Sequence, residues 1–122
     1  VTYAAGNYTA SGSMTWTVEE ADVLVNKYVL IGKLVVWTVQ IANSTVGGTP
    51  STLLYIAIPA ALGGVAGQGF TAYVKDAGTD LSTTVGVAIS GSNIQISKLV
   101  GGNWGTGSNN TWIYLTAFLM MA

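Results

Sequence analysis

Three groups of residues have types and spacings that suit known chemistry, and the first of them is acidic. Glu19, Glu20 and Asp22 stand close together, and glycoside hydrolysis requires a pair of carboxylates. Adjacent residues of a strand point to opposite faces, so Glu19 and Glu20 do not converge on one glycosidic bond. The cluster is therefore interpreted as a solvated turn.

The second group consists of Asp76 and Asp80, which flank Gly78 and suggest a calcium loop. Calcium takes about six to eight oxygen ligands, and this segment supplies too few of them. We interpret the segment as a charged β-turn. No metal site and no cofactor are predicted for the chain.

The third group surrounds Trp104 in the glycine-rich segment GGNWGTGSNN. A flat aromatic ring stacks on the C–H face of a pyranose, and asparagine amides both donate to and accept from sugar hydroxyls. The candidate ligand-binding residues are Asn103, Trp104, Asn109 and Asn110. The alternative interpretation is that Trp104 folds back on the domain and anchors its own loop. Trp112 and Tyr114, further along, are assigned to the core or to an interface.

The composition argues against several classes of function. The net charge is -1 and the chain has no arginine, so binding of nucleic acid through its phosphates is not expected. Cysteine is absent, which excludes disulfides and thiolate metal sites. Histidine is absent as well, and with it the usual general base and any Ser-His-Asp triad. An enzyme is therefore not expected.

The shortage of charge is the most informative feature of the composition. Half of the residues are hydrophobic and only 7% are charged, against roughly 25% in an average soluble domain. Either small polar residues keep the chain soluble, or much of the surface of the monomer is buried against other chains. We expect a mixture of the two.

The segment Tyr28–Pro59 contains two strands that are apolar on both faces. Alternation places Val35, Trp37, Val39 and Ile41 on one face, which we assign to the core. A second covered face is then needed, and a neighbouring subunit can supply it. The candidate residues for an oligomer interface are Leu34, Val36, Leu53, Tyr55, Phe118 and Met120.

The spacing of strands and turns predicts the fold class. Seven or eight strands at intervals of about 8 to 12 residues, with no helical period, indicate an all-β sandwich or barrel. We favour an antiparallel β-sandwich that is jelly-roll-like and assembled as a homotrimer. Residues 1–12 are expected to be a linker or an edge strand from a longer chain, and residues 13–122 the sandwich domain.

Several connections are predicted from turn chemistry. Asn43–Thr52 is expected to be a loop because it combines Gly47, Gly48 and Pro50. The small-residue segment after Pro59 is expected to be an irregular crossover. No signal peptide is recognised, and no membrane insertion is expected, since polar residues, glycines and prolines interrupt every long uncharged stretch.

The order of these elements resembles a known family. The run YVLIGKLV from Tyr28 to Val35, a strand, a Ser/Thr/Gly loop and an apolar strand ending at Ile58 and Pro59 are similar to the C-terminal head or tip domains of phage tail fibres and tailspikes. The upstream GSMTWTV and the terminal NNTWIYLTAFLMM resemble the first and last strands of those domains. The resemblance covers the chain from about Gly12 to its end.

The resemblance implies a location and two alternative roles. Such domains are trimeric β-sandwiches at the distal end of the tail, outside the cell. One expectation is a non-enzymatic module that attaches the virion to host-surface polysaccharide. The alternative is a structural trimerisation or capping module without a ligand of its own.

Overall fold

A computed structural model describes residues 1–81, 85–99 and 101–122. These residues form ten strands and three short 3-10 turns at Ala5–Asn7, Glu20–Asp22 and Ala60–Leu62. In chain order the strands are β1 (Tyr8–Ala10), β2 (Met14–Thr17), β3 (Val23–Ile31), β4 (Leu34–Gly48), β5 (Leu53–Ala57), β6 (Val65–Asp76), β7 (Thr79–Asp80), β8 (Val85–Ser90), β9 (Asn93–Lys98) and β10 (Gly107–Met121).

The strands form two antiparallel sheets that pack face to face. One sheet has four strands in the order β1-β5-β9-β8, and the other has six, in the order β2-β4-β10-β6-β7 with β3 also paired to β4. The chain changes sheet between β1 and β2, β4 and β5, β5 and β6, β7 and β8, and β9 and β10. The two packed antiparallel sheets confirm the predicted all-β sandwich.

The core lies between the two sheets and comes from alternate residues of each. Val35, Trp37, Val39 and Ile41 of β4 are fully buried, as their alternation predicts. The facing sheet and the last strand contribute further side chains that are almost inaccessible to solvent: Leu54, Ile56, Ile94, Ile96, Ile113, Leu115, Ala117 and Leu119. The inner faces of both sheets are therefore inaccessible to solvent.

A buried asparagine links the two sheets through the core. Asn26 accepts a hydrogen bond from Trp37 Nε1 at 2.8 Å, and its own amide donates to the Tyr8 hydroxyl at 3.3 Å. Tyr8 also packs edge-on against Trp16. Burial raises the pKa of Tyr8 above its ordinary 10.0, and this outweighs the hydrogen bond from Asn26, which lowers it.

Three connections are shorter than the turn residues predicted. β4 continues to Gly48, so most of the expected Asn43–Thr52 loop is strand. Asn43 has a φ of 57°, which asparagine tolerates, and the register against β10 shifts beside it. β10 likewise begins at Gly107, inside the predicted loop, and β6 begins at Val65. Bulges thus carry these residues within the sheet.

The first twelve residues pack with the rest of the chain. Tyr8–Ala10 forms β1, an edge strand of the four-stranded sheet that pairs with β5, and Tyr8 is buried in the core. The Tyr3 hydroxyl donates to the carbonyl oxygen of Val18 at 2.8 Å. The sandwich therefore includes residues on both sides of the boundary predicted at residue 13.

Candidate functional site

The outer face of the six-stranded sheet carries a continuous apolar area at one end. Cross-strand pairing places Val36 between Val29 and Phe118, and it places Leu34 between Ile31 and Met120. Residues directly opposite each other on neighbouring strands share one face. We call the six side chains the outer patch: Val29, Ile31, Leu34, Val36, Phe118 and Met120.

The outer patch is unusually exposed for its composition. Ile31 is 65% exposed, Val29 is 58% exposed, and Phe118 and Met120 are each more than a third exposed. Scattered surface leucines and valines are ordinary, whereas a contiguous exposed apolar area is typical of a contact surface. Four of the predicted interface residues, Leu34, Val36, Phe118 and Met120, are thereby brought together.

Aromatic side chains occupy the other end of the same face. Trp112 and Tyr114 stack with ring centroids 5.9 Å apart and an interplanar angle of 17°, and Tyr73 lies 5.8 Å from Tyr114. Lys75 places its Nζ 4.7 Å from the Trp112 ring centre. We call Tyr73, Trp112 and Tyr114 the aromatic row; all three are half-buried on the outer face, outside the core between the sheets.

A hydroxyl band separates the outer patch from the aromatic row. Thr38 and Thr116 lie opposite each other with their Oγ1 atoms 3.4 Å apart, and Thr71 continues the band on β6. A shallow depression of about 310 Å³ lies over these threonines, Gln40 and Tyr73. The face thus changes along the strands from apolar, through hydroxyl-rich, to aromatic.

Leu53 and Tyr55 do not join this surface, which corrects the predicted interface. They lie on β5 in the four-stranded sheet, on its outer side, where their partners in register are Ser97 and Gln95. The outer sides of the two sheets face opposite directions, because both inner faces meet in one core. The single surface expected for Leu34, Val36, Leu53 and Tyr55 is therefore split between the two outsides of the sandwich.

Trp104 is not the sugar-stacking platform that its glycine-rich loop suggested. Its side chain is fully buried, its Nε1 donates to the Thr52 carbonyl oxygen at 3.2 Å, and its backbone N–H donates to the Ser51 carbonyl oxygen at 2.9 Å. A buried ring offers no face to a saccharide. The alternative interpretation, an anchor for the loop, describes the residue.

The three candidate asparagines differ in exposure and in hydrogen-bond partners. Asn103 is exposed, and its carbonyl oxygen accepts from Lys98 Nζ at 2.8 Å. Asn109 is exposed at a φ of 57°, and its backbone N–H donates to Thr45 Oγ1 at 3.0 Å. Asn110 is half-buried beside Gly107, with a buried Oδ1 that lacks a hydrogen-bond donor. Without Trp104 these residues form no common platform.

A buried ion pair explains how the Trp104 loop is held. Asp76 at the end of β6 pairs with Lys98 at the end of β9, and Asp76 Oδ1 also accepts from the Gly105 N–H at 2.8 Å. The Lys98 Nζ lies 6.0 Å from the Trp104 ring centre. Asp76 is therefore a buried link between the sheets as well as the last residue before a turn.

The remaining acidic residues form no chemical centre in the described part of the chain. The Glu19–Asp22 cluster is a 3-10 turn whose own backbone is capped by the Asp22 carboxylate, in agreement with its interpretation as a turn. Among the described residues, no three carboxylates come together at a possible metal site. No helix within those residues has the length and hydropathy of a membrane span.

Comparisons with models of protein families, with curated proteins and with solved structures found no match in any of the three.

Sequence reasoning missed three members of the outer face. Val29 and Ile31 belong to the outer patch, and Tyr73 belongs to the aromatic row. The sequence did contain a signal for Val29 and Ile31. Lys27, Val29 and Ile31 are every second residue of β3, so their side chains point to the same face. No comparable signal existed for Tyr73, whose neighbour Tyr114 is distant in sequence.

Proposed function

We propose that this protein is a non-enzymatic, homotrimeric head domain at the distal end of a phage tail fibre or tailspike. The outer patch is the observation that carries the proposal. It is a sheet face with the composition of an interface core, and a second copy of the chain presents the same apolar residues. Contact between copies removes that surface from water.

The aromatic row supports the same assignment. Aromatic residues are enriched at interfaces, and the ring surface of Trp112 already contacts Tyr114 and Lys75. On β10 the aromatic row and the outer patch extend from Trp112 to Met120. The outer face of the six-stranded sheet supports association with another chain. The trimeric state and the location on a phage tail are proposed from the resemblance to tail-fibre heads.

The role we propose for the assembled head is attachment of the virion to host-surface polysaccharide outside the cell. The non-enzymatic part of the proposal is supported by the placement of the acidic residues. Asp76 forms an ion pair with Lys98. Glu19, Glu20 and Asp22 lie in a turn at the surface. The carboxylates of Glu19 and Asp22 accept hydrogen bonds from the backbone of their own turn.

A second candidate is a structural trimerisation or capping module that binds no ligand. The burial of Trp104 favours it, because the loop that sequence reasoning offered as a sugar site has no exposed ring. Binding of the isolated trimer to host cells and to arrayed bacterial polysaccharides separates the two candidates. Saturable binding supports attachment, and a folded trimer that binds neither supports the structural module.

A further inference from the structure

The six-stranded sheet is open along both of its sides at the end where the outer patch lies. In the described part of the chain, β3 pairs only with β4, and β6 pairs with β10 along its length but with β7 only at its last two residues. No described strand therefore lies beyond residues 28–31 on one side or beyond residues 66–70 on the other. We call these two segments the β3 edge and the β6 edge.

Backbone groups on both edges point away from the sheet. Ile31 flanks the two-residue turn before β4 and so is hydrogen-bonded to β4, which turns the N–H and C=O groups of its neighbour Leu30 outward. On β6 the Val74 carbonyl oxygen accepts from the Leu81 N–H on the side away from β10, and the groups of Phe70, four residues earlier, point the same way. Outward N–H and C=O groups of this kind are a template for a further strand.

Leu30 is an exposed apolar residue that contact between outer patches leaves uncovered. Its partner in register is the core residue Val35, so its side chain points to the inner side of the sheet, yet it is 52% exposed. Earlier in β3 the exposed charge of Lys27 protects the strand, as charges commonly do on natural edge strands. The β3 edge has no such charge and instead carries three consecutive exposed apolar residues: Val29, Leu30 and Ile31.

A second copy of the chain offers a strand of matching direction and level. Because β3, β4, β10 and β6 are successively antiparallel, β3 and β6 run in opposite directions. Rotation about an axis along the strands therefore brings the β3 edge of one copy against the β6 edge of the next as an antiparallel pair. The two edges lie at one level, since a row of paired residues joins Val29 to Gly69 through Val36 and Phe118. Such a contact repeats around a ring, whereas a contact between two β3 edges joins only two copies.

We propose that the β3 edge of each subunit pairs with the β6 edge of the next, so that the three six-stranded sheets are joined edge to edge around their outer patches. This inference rests on the proposed trimer and adds the two segments that join its subunits. The pairing supplies main-chain hydrogen bonds in addition to apolar contact. It also covers Leu30, which then lies beside Phe70 of the next copy; Phe70 is on the inner side of β6, since its partner in register is the core residue Ala117.

Paired cysteines test the inference directly, because the natural chain has no cysteine. Val29→Cys and Gly69→Cys place thiols at one level of the two edges, and no described atom lies within 4 Å of the position that a Cβ would take at Gly69. Within one subunit three strand spacings, about 14 Å, separate the two positions, which is too far for an internal disulfide. After oxidation, the double variant is expected to be a covalent trimer on a denaturing gel without reductant. Each single variant is expected to remain one chain.

Leu30→Asp and Leu24→Asp form a matched pair on β3. The two leucines are 52% and 55% exposed, but only Leu30 belongs to the β3 edge. Leu30→Asp is expected to fold and to weaken assembly about tenfold or more, because the edge contact would bury its carboxylate. Leu24→Asp is expected to assemble as the wild type does. Sedimentation equilibrium measures both, and circular dichroism establishes that both are folded.

Three outcomes overturn the inference: a trimeric double-cysteine variant that gives no covalent product, a covalent dimer of Val29→Cys alone, or equal assembly of the two leucine variants. These failures are distinguishable from failure of the proposed trimer. If the wild type sediments as a trimer while the cysteines do not join, the trimer stands and the edge contact fails. If the double variant forms an open ladder of linked chains, the edge contact stands and the closed trimer fails. A chain that neither associates nor cross-links contradicts both.

Discussion

Val36 lies directly opposite Phe118 across the ladder between β4 and β10, at the centre of the outer patch. Neither side chain contributes to the core, because their neighbours Val35 and Leu119 occupy the inner face. One pair of adjacent strands thus presents apolar residues on both sides of the sheet. The inner side is covered by the second sheet, and the outer side is the surface that we assign to other subunits.

Adjacent residues of β10 should respond differently to the same substitution. Leu119→Asp places a carboxylate in the core and is expected to prevent folding, since an unpaired buried charge costs several kcal/mol and the whole domain is stable by only about 5–15. Phe118→Asp places it on the outer face and is expected to leave a folded chain. Near-ultraviolet circular dichroism and urea unfolding measure both. Equal loss of folding in the two variants would contradict the assignment of faces.

Trp104→Ala is expected to lower the free energy of unfolding by about 3–5 kcal/mol, because a fully buried ring and its hydrogen bond to Thr52 are lost. Trp104→Phe keeps most of the packing and should cost less. Trp112→Ala, at a half-buried position, is the control and should cost the isolated chain less than Trp104→Ala. Urea unfolding measures the free energy of unfolding of each variant. An unchanged value for Trp104→Ala would show that Trp104 does not anchor the loop.

The Asp76–Lys98 pair should show strong coupling in a double-mutant cycle. Either Asp76→Asn or Lys98→Met leaves one largely buried charge without its partner, which costs about 3–5 kcal/mol at fully buried sites. Lys98 is 18% exposed, so the lower end of that range is expected. The double variant should be more stable than the sum of the single losses predicts. Lys33→Met, at an exposed lysine, is the control, and simple additivity at 76 and 98 would argue against a buried pair.

Ionisation of Tyr8 should account for part of the loss of folding stability at high pH. Burial raises the pKa of Tyr8 in the folded chain, so the folded state holds this proton more tightly than the unfolded state, whose pKa is near 10.0. Its stabilising contribution is therefore complete below about pH 10 and is lost as the pH rises toward the folded pKa. Tyr8→Phe removes the ionisation, so its stability should fall less steeply above pH 10. Identical slopes for both proteins would contradict this account.

The faces of single strands were predictable from the sequence, because side chains alternate along a pleat. Val35, Trp37, Val39 and Ile41 were assigned to the core on that basis, and all four are buried. The sheet that each strand joins was not predictable in this way. Leu53 and Tyr55 have the same alternation as Leu34 and Val36, and only pairing between distant segments places them on the other sheet.

The environment of Trp104 could not be read from its neighbours. Glycines on both sides suit an exposed platform and a ring folded inward equally well. Its burial depends on Thr52, which is far away in sequence, and on the Asp76–Lys98 pair that holds the same loop. Asp76 looked like a turn residue because the lysine that pairs with it comes from another sheet.

Sedimentation equilibrium at micromolar concentration tests the central claim that the outer face of the six-stranded sheet joins the subunits. The wild-type chain and Ala88→Asp, an exposed control on the other sheet, are expected to have the mass of three 12.6 kDa chains. Val36→Asp is expected to have the mass of one folded chain, since a carboxylate in the middle of the outer patch opposes its burial. A wild-type protein that remains a single 12.6 kDa chain, or a Val36→Asp protein that assembles as the wild type does, would contradict the account.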